Sequence, residues 1–237
     1  TTTCWPSLLA MASTWDESLV GEVATAIGKE FRGKGANVIL GPSVNVHRSA
    51  YNGRNFEYLS GEDPHLGSRL TGVYVEAVQR QGVMAVVKHF AFNEQETARM
   101  TENSIVDERT AWELYYPPFE AAVKAGVGAV MCSYNRVNGT FACHSPEILR
   151  RDLKGIMGFS GFVLSDWGAS HGVEAIENGL DQEMPGVLAP GTPAIDVFVD
   201  HFGDAALSAT PEREDAAKEA ALRVLTSVYR LRLDEAS

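Results

Sequence analysis

The sequence predicts an α/β protein whose parallel strands and helices alternate, arranged as a (β/α)8 TIM-type barrel. Short apolar segments are separated by amphipathic segments with helical spacing, a pattern typical of parallel strands joined by crossover helices. Most of the strand-like segments also end in a reactive or polar side chain, as at Lys88, Tyr134 and Asp166. A barrel gathers all of its strand ends at one mouth, whereas a doubly wound sheet gathers only those at its switch point. We therefore expect the barrel.

The first half of the chain supplies two helices and two strands. After Asp16, a residue type preferred at helix N-caps, apolar side chains from Leu19 to Phe31 recur at helical spacing and predict a helix that ends near Gly33. The next predicted elements are a strand in "NVILGPSVNV", a helix in "EDPHLGSRLTGVYVEAVQRQG" and a strand in "VMAVVKHF".

The second half continues the alternation. Helices are predicted in "ERTAWELYYPPFEAAVKAG", "SPEILRRDLKGIMG" and "HGVEAIENG", and strands in "VGAVMCSYN", "GFVLSDW" and "LDQEMPG". A strong helix is expected from about Glu212 to Leu233. These strands are fewer than the eight of a closed barrel, so we expect the barrel to be incomplete at its N-terminus, with missing strands before Thr1 or in irregular segments.

Composition limits the classes of function. The chain has 237 residues, of which 45% are hydrophobic and 22% charged, as in an ordinary soluble globular domain. A formal net charge of −11 argues against binding to nucleic acid or to an anionic membrane, because both surfaces would repel it. No apolar stretch approaches the ~18 residues of a membrane span. The compartment stays open.

The cysteines predict neither a disulfide framework nor a zinc site. Cys4, Cys132 and Cys143 show no CxxC or zinc-type spacing. Cys132 lies in an apolar strand-like segment, so we expect a plain buried thiol there.

Asp166 and Trp167 are the first candidate site residues. A carboxylate at a strand end can be a nucleophile, a general base, a metal ligand or only a helix N-cap. The indole of Trp167 suits packing against a sugar ring, or alternatively the protein core.

Further candidates stand near other strand ends. Lys88 follows four apolar residues and needs an acceptor, which can be a substrate hydroxyl or a carboxylate; a Schiff-base lysine is the competing interpretation. Arg54 offers a donor fork for hydroxyls or a carboxylate, and Tyr134 can hydrogen-bond a reacting carboxylate or lie at the core edge. Glu94, Glu96 and Arg99 can position Lys88 or one another, or can form a surface ion-pair helix. No metal-ligand spacing or phosphate loop is present, so we expect no metal or cofactor.

Six ordered motifs resemble one family. They are "GPSVNVHRSAYNGRNFEYLSGEDP", "VVKHFAFNEQE", "DERTAWELYYPPFEAAV", "VMCSYNRVNG", "GFVLSDWGA" and "GLDQEMPG". Together they are similar to the N-terminal barrel domain of glycoside hydrolase family three, in its β-glucosidase branch. The resemblance covers roughly residues 5–186.

The resemblance implies a retaining exo-β-glycosidase that releases terminal β-D-glucosyl residues without a cofactor. Asp166 matches the nucleophile, which would form a covalent glycosyl intermediate, and Trp167 matches a wall of the sugar subsite. Arg54, Lys88 and His89 match residues that grip the sugar hydroxyls. Tyr134 matches the tyrosine beside the nucleophile. The resemblance also implies a cis peptide between Lys88 and His89.

The second carboxyl of such a mechanism is not assigned. In the family a glutamate from a further domain serves as acid/base, so residues 1–237 are expected to be the barrel domain, with an α/β sandwich domain outside this chain. The expected partners are thus a β-glucoside or oligosaccharide and the remainder of the same enzyme. The segment between Gly186 and Thr210 departs from the family pattern. The alternatives are a non-catalytic sugar-binding barrel and a Schiff-base lyase that uses Lys88.

Overall fold

The computed structural model describes residues 2–186 and 201–235. The segment that departs from the family pattern therefore falls mostly on residues 187–200, outside the described residues. The helices are α1 (Leu8–Ala12), α2 (Glu17–Gly33), α3 (Pro64–Gln79), α4 (Glu108–Thr110), α5 (Pro117–Lys124), α6 (Asp204–Leu207) and α7 (Pro211–Arg230). The strands are β1 (Val38–Ile39), β2 (Met84–Phe90), β3 (Asn103–Ser104), β4 (Ala129–Cys132), β5 (Arg136–Val137), β6 (Thr140–Phe141) and β7 (Phe162–Ser165).

The main sheet confirms the α/β fold with parallel strands. Its strand order is β1-β2-β4-β7 and every pairing is parallel. The order follows the chain without reversal, as in a barrel wall, whereas a doubly wound sheet reverses at its switch point. The predicted strand in "LDQEMPG" is reduced to a single parallel bridge between Gln182 and Leu164. The described residues thus supply four of the strands that a (β/α)8 wall requires.

The helices match their sequence signals, with differences in the middle of the chain. Asp16 caps α2 by accepting a hydrogen bond from the amide of Leu19, which confirms the predicted N-cap. The predicted helix between residues 108 and 126 is divided into α4, a π-helical turn at Ala111–Tyr115, and α5. The segment Glu147–Ile156 is also π-helical, and "HGVEAIENG" forms only the 3-10 turn Val173–Ala175.

A second, small sheet was not predicted. Strand β5 pairs with β3 in parallel and with β6 in an antiparallel hairpin. Each of these strands has two residues, which is too short for an alternating apolar pattern.

Both faces of β2, β4 and β7 are buried, which explains why these strands are apolar until near their carboxyl ends. Ala85 and Val87 of β2 belong to the larger core, which the helices α2, α3 and α5 cover. Met84 and Val86 point to the opposite face and pack in a second cluster that includes Leu233. Among the described residues, no helix is both long and apolar enough to cross a bilayer.

The prediction of a free thiol at Cys132 is wrong. Cys132 is buried, as expected, but it forms a disulfide with Cys143, and the two Cα atoms lie 5.3 Å apart. The chain turns through β5 and β6 between them, and this return is what brings the two thiols together. Cys4 is free and exposed.

The disulfide should stabilise the fold measurably. It closes a loop between residues 11 apart in sequence, and the chain-entropy model gives about 3 kcal/mol for a loop of this size. We expect a C132S/C143S double variant to unfold at a lower temperature than the wild-type protein without reductant. Peptide mapping without reductant should recover the two cysteines as one linked peptide. Separate peptides would contradict the assignment.

Candidate active site

The candidate site lies where β2, β4 and β7 end. Because these strands are parallel neighbours, their carboxyl ends lie at the same edge of the sheet. His89 is the last residue but one of β2, Tyr134 comes shortly after the end of β4, and Asp166 follows β7 directly. The amide of Asp166 donates to the carbonyl of Cys132 at 3.1 Å, which extends the pairing of β4 and β7 by one residue. The residue is therefore fixed by the sheet itself.

Three groups surround the Asp166 carboxylate. One oxygen, Oδ1, accepts a hydrogen bond from the amide of Trp167 at 2.8 Å. The other, Oδ2, lies 3.5 Å from Nε2 of His89. The hydroxyl of Tyr134 also donates to this carboxylate; burial and then the charge of Asp166 raise the pKa of Tyr134, so it remains a donor. The Asp166 side chain is 13% exposed, which leaves part of it open to a ligand.

His89 is neutral in this environment. Its side chain is 1% exposed, and burial lowers its pKa well below the ordinary value, with additional lowering by the positive charges of Lys88, Arg54 and Arg99. Its Nε2 lies 3.2 Å from Nη2 of Arg54 and its Nδ1 lies 3.2 Å from the hydroxyl of Tyr58. Because a guanidinium only donates, Nε2 is the acceptor and Nδ1 carries the proton.

Arg54 connects the loop after β1 to the site. It contacts Glu57 at 2.6 Å and Glu96 at 3.5 Å. Burial lowers its pKa, but Tyr58, Glu57, Glu96 and Asp166 raise it by more. The preceding Gly53 has φ +100°, and a Cβ there would lie 3.2 Å from the side chain of Glu96, so this turn requires glycine.

Glu96 and Arg99 join the same network. Glu96 also accepts from Arg99 at 3.0 Å, and the guanidinium of Arg99 lies 4.5 Å above the ring of Tyr134. The ion pair expected from the sequence is therefore present, but it contacts two site residues as well as solvent. The Glu96–Arg99 pair lies in the loop after β2 and holds Arg54 and Tyr134 in place from that side.

Lys88 is half-buried beside the same groups. Burial lowers its pKa, the charges of Glu57 and Asp166 oppose that shift, and Arg54 adds to it. Its peptide bond to His89 is cis, as the resemblance predicted. Trp167 is half-buried and packs partly against the second core cluster, so the core interpretation accounts for part of its surface and leaves part for a ligand.

The structure thus brings five of the six candidates into one cluster: Asp166, Arg54, Lys88, His89 and Tyr134, with Trp167 next to Asp166 in the chain. Sequence reasoning missed Tyr58 and Asn45, which hydrogen-bond to His89. Both lie in "GPSVNVHRSAYNGRNFEYLSGEDP", but neither stands at the end of an apolar strand-like segment, the pattern that predicted the other site residues.

Glu94 was expected to position Lys88 or a neighbouring charge, or to lie on a surface ion-pair helix, but the structure buries it. Its side chain accepts a hydrogen bond from Asn45 at 3.0 Å, and the residue is 8% exposed. Burial raises the pKa of Glu94 to about 8. The carboxyl is therefore mostly protonated at neutral pH.

The raised pKa of Glu94 makes stability depend on pH. An unfolded chain ionises this residue near its ordinary pKa, while the folded protein retains the proton until about pH 8. Folding stability should therefore be highest below the ordinary value and fall with rising pH, by at most ~1.4 kcal/mol per pH unit from this group. Above about pH 8 the decline should end.

Replacing Glu94 by Gln should remove that decline. We expect the melting temperature of E94Q to exceed that of the wild-type protein at pH 8, with a smaller difference at pH 5. Thermal unfolding at the two pH values measures this, and the exposed E113Q variant is the matched control. An E94Q advantage that is equal at both pH values would contradict a raised pKa.

No group of three or more His, Cys, Asp or Glu side chains within residues 2–186 and 201–235 is arranged to hold a metal ion. Glu183, another carboxylate at a predicted strand end, is bound by His201 at 2.7 Å and by two main-chain amides.

Sequence comparisons place the chain among known proteins. The family model described as "Glycosyl hydrolase family 3 N terminal domain" matches residues 1–192. The chain is 51% identical to a β-glucosidase of Rhizobium radiobacter over 77% of its own length and 22% of that protein's. It is 47% identical to thermostable β-glucosidase B of Acetivibrio thermocellus, again over 77% of this chain and over 24% of the relative. The chain thus spans about a quarter of the length of these relatives.

Solved structures of β-glucosidases are also similar to this chain. DesR, a β-glucosidase from Streptomyces venezuelae crystallised with D-glucose, superposes with a TM-score of 0.89 at 37% identity, covering 98% of this chain and 30% of that one. The β-D-glucoside glucohydrolase of Trichoderma reesei gives 0.90 at 36% identity, with 98% of this chain and 32% of that chain covered. The chain belongs to glycosyl hydrolase family 3 and carries its N-terminal domain.

Proposed function

We propose that this chain is the nucleophile-bearing part of a retaining β-glucosidase that removes terminal β-D-glucosyl residues. The observation that carries the proposal is the position of Asp166: a partly open carboxylate, fixed at a strand end, that accepts from Tyr134 and lies within the field of the positive charges of Arg54 and Lys88. The relatives described above are named β-glucosidases, and one neighbour was crystallised with D-glucose.

In the proposed first step, an Asp166 oxygen attacks the anomeric carbon of the terminal glucose. A bond forms between that oxygen and C1, the bond from C1 to the leaving oxygen breaks, and the leaving oxygen takes a proton from a second carboxyl group. In the second step that group, now a carboxylate, takes a proton from a water molecule while the water oxygen attacks C1. The bond between C1 and the Asp166 oxygen then breaks. Two inversions leave the product with the β configuration of the substrate.

The surrounding residues orient the sugar and the nucleophile. Tyr134 holds the Asp166 carboxylate by a hydrogen bond, the donors of Arg54 and Lys88 are available to sugar hydroxyls, and Nε2 of His89 accepts from Arg54 and so orients its guanidinium. Binding the ring by several such contacts makes the attack nearly intramolecular, which is worth several kcal/mol of the barrier. The exposed part of the Trp167 indole suits the apolar face of the ring.

The acid/base carboxyl is proposed to come from a part of the enzyme outside this chain. Retaining glycosidases place it about 5–5.5 Å from the nucleophile. Four glutamates of the site motifs already have partners: Glu57 and Glu96 pair with arginines, Glu94 with Asn45, and Glu183 with His201. The relatives are about four times as long as the matched region, so they have room for the α/β sandwich domain expected to supply it.

The lowered pKa of Lys88 favours a second candidate function, that of a Schiff-base lyase, because a desolvated lysine at a strand end suits this chemistry. Borohydride reduction in the presence of a carbonyl substrate would then attach that substrate to Lys88. The relatives' names favour the glycosidase, and we expect no such product.

Proton NMR of the reaction tests the proposed function. The full-length protein is mixed with an aryl β-glucoside, and the anomeric signal of the first glucose released is observed before mutarotation. We expect β-glucose. First release of α-glucose would contradict the retaining mechanism, and glucose binding without hydrolysis would indicate a non-catalytic sugar-binding barrel.

A further inference from the structure

His89 is left out of the pairing between β2 and β4. Lys88 pairs with Met131 and Phe90 pairs with Cys132, so the register shifts between them and His89 has no partner residue in β4. A residue bypassed in this way still has a main-chain N–H and C=O to satisfy, and buried groups of this kind need partners.

One side chain satisfies both groups. The amide of His89 donates to Oδ1 of Asn45 at 2.7 Å, and the carbonyl of His89 accepts from Nδ2 of Asn45 at 3.1 Å. Just before Asn45 the contacts are main chain to main chain: Lys88 N–H donates to Pro42 at 3.1 Å and Val44 N–H donates to Lys88 at 2.9 Å. The Asn45 side chain therefore continues the pairing of this loop with β2 by one residue.

Glu94 adds a third contact that favours the same orientation of the Asn45 amide. The second hydrogen of Nδ2 is donated to Oε1 of Glu94 at 3.0 Å. If the amide were turned by half a rotation, its oxygen would face the Glu94 acceptor and its NH2 group would face the His89 N–H. Asn45 is 1% exposed and Glu94 8% exposed, so water does not replace these bonds easily.

The orientation of the His89 ring depends on this main-chain arrangement. Nε2 lies 3.2 Å from Arg54 and 3.5 Å from Oδ2 of Asp166, while Nδ1 lies 3.2 Å from the hydroxyl of Tyr58. A shift of the His89 peptide moves the ring relative to both Asp166 and Arg54.

We propose that Asn45 is a positioning residue: it holds the peptide groups of His89 so that the imidazole keeps its place beside Asp166 and Arg54, and Glu94 acts through Asn45 by helping to keep its amide in the required orientation. The inference rests on the proposed function, because it concerns the same sugar site. It adds two residues that need not touch the substrate.

Kinetics of the full-length protein with an aryl β-glucoside test the proposal. N45A should lower kcat/KM by about 10- to 100-fold, since misplacements of about 1 Å have effects of that size. E94L, which lacks the acceptor, should lose activity in the same direction. E94Q retains an acceptor oxygen and should restore kcat/KM to within about 3-fold of the wild-type value, an effect comparable with the loss of one weak contact.

A double variant separates positioning from general destabilisation. If Glu94 acts through Asn45, N45A/E94L should be no less active than N45A alone, whereas independent effects would multiply. The matched control is S227A, which removes a buried hydrogen bond of 2.7 Å to the carbonyl of Gly128, before β4 and away from Asp166. It should lower the melting temperature and leave kcat/KM unchanged.

The outcomes distinguish the two proposals. If N45A retains kcat/KM within about 3-fold of the wild-type value while D166N is inactive, the positioning role is wrong and the proposed function stands. If S227A loses as much activity as N45A, the loss reflects stability and the role is also wrong. Should N45A not fold, equal activities of E94L and E94Q would overturn the role. A full-length protein that cleaves no β-glucoside overturns both proposals.

Discussion

Replacing Asp166 by Asn should abolish β-glucoside hydrolysis, with kcat reduced by about 10⁴-fold or more, because the held nucleophile supplies both the covalent bond and an effectively intramolecular attack. An amide oxygen keeps the shape of the side chain and still accepts from the amide of Trp167, which contacts Oδ1 at 2.8 Å. The change therefore removes the chemistry with little effect on the fold. Steady-state hydrolysis of an aryl β-glucoside measures it.

Chemical rescue with azide is the control for this variant. In the smaller D166A variant, azide can occupy the space that the carboxylate leaves and attack C1 from the same side. We expect added azide to restore release of the aryl group and to yield an α-glucosyl azide. If D166N hydrolysed the substrate at a rate near that of the wild-type protein, Asp166 would not be the nucleophile.

The second large effect should be on stability and concerns an ion pair buried beneath β7. Lys154, on the π-helical segment Glu147–Ile156, contacts Asp181 at 2.7 Å, and the two side chains are only 5% and 3% exposed. Asp181 also accepts from the amide of Val163 at 2.7 Å. The pair therefore joins this helix to β7 and to the chain that follows β7.

Replacing Lys154 by Met should destabilise the protein by about 3–5 kcal/mol, because it leaves the charge of Asp181 buried without its partner. The pKa shifts reflect the cost of burying both charges. Burial raises the pKa of Asp181 and lowers that of Lys154, although the opposite charge of each partner counteracts the shift. Chemical denaturation of the wild-type and variant proteins measures the difference in the free energy of unfolding.

Two further variants control for this effect. K154M/D181N removes the unpaired charge but keeps an acceptor for Val163, so it should be more stable than K154M. K218M removes an exposed lysine that pairs with Glu214 and Asp215 on α7 and should not change the stability measurably. A K154M protein as stable as K218M would show that the buried pair contributes nothing.

The elements and the strand-end residues could be predicted because their signals are local. Apolar runs identified β2, β4 and β7, and the polar residues directly after them identified Lys88, His89 and Asp166. Helical spacing together with a capping aspartate located α2 within one residue of its observed start. The resemblance to a family then supplied roles that the residues alone left open.

The unpredicted features depend on contacts between residues far apart in the chain. Asn45 and His89 are 44 residues apart, and nothing in the loop sequence shows which peptide the amide binds. Lys154 lies in a segment that predicts an amphipathic helix, where a lysine normally faces solvent, and only the packing against β7 buries it. The disulfide of Cys132 required the return of the chain through β5 and β6.

The most direct test is to trap the intermediate on the full-length protein with a 2-deoxy-2-fluoro-β-glucoside that carries a good leaving group. The fluorine slows both steps and the leaving group restores the first, so the glycosyl-enzyme accumulates. We expect tandem mass spectrometry of the digested protein to find the sugar on Asp166. A label on another residue, or full turnover with no label at all, would contradict the account.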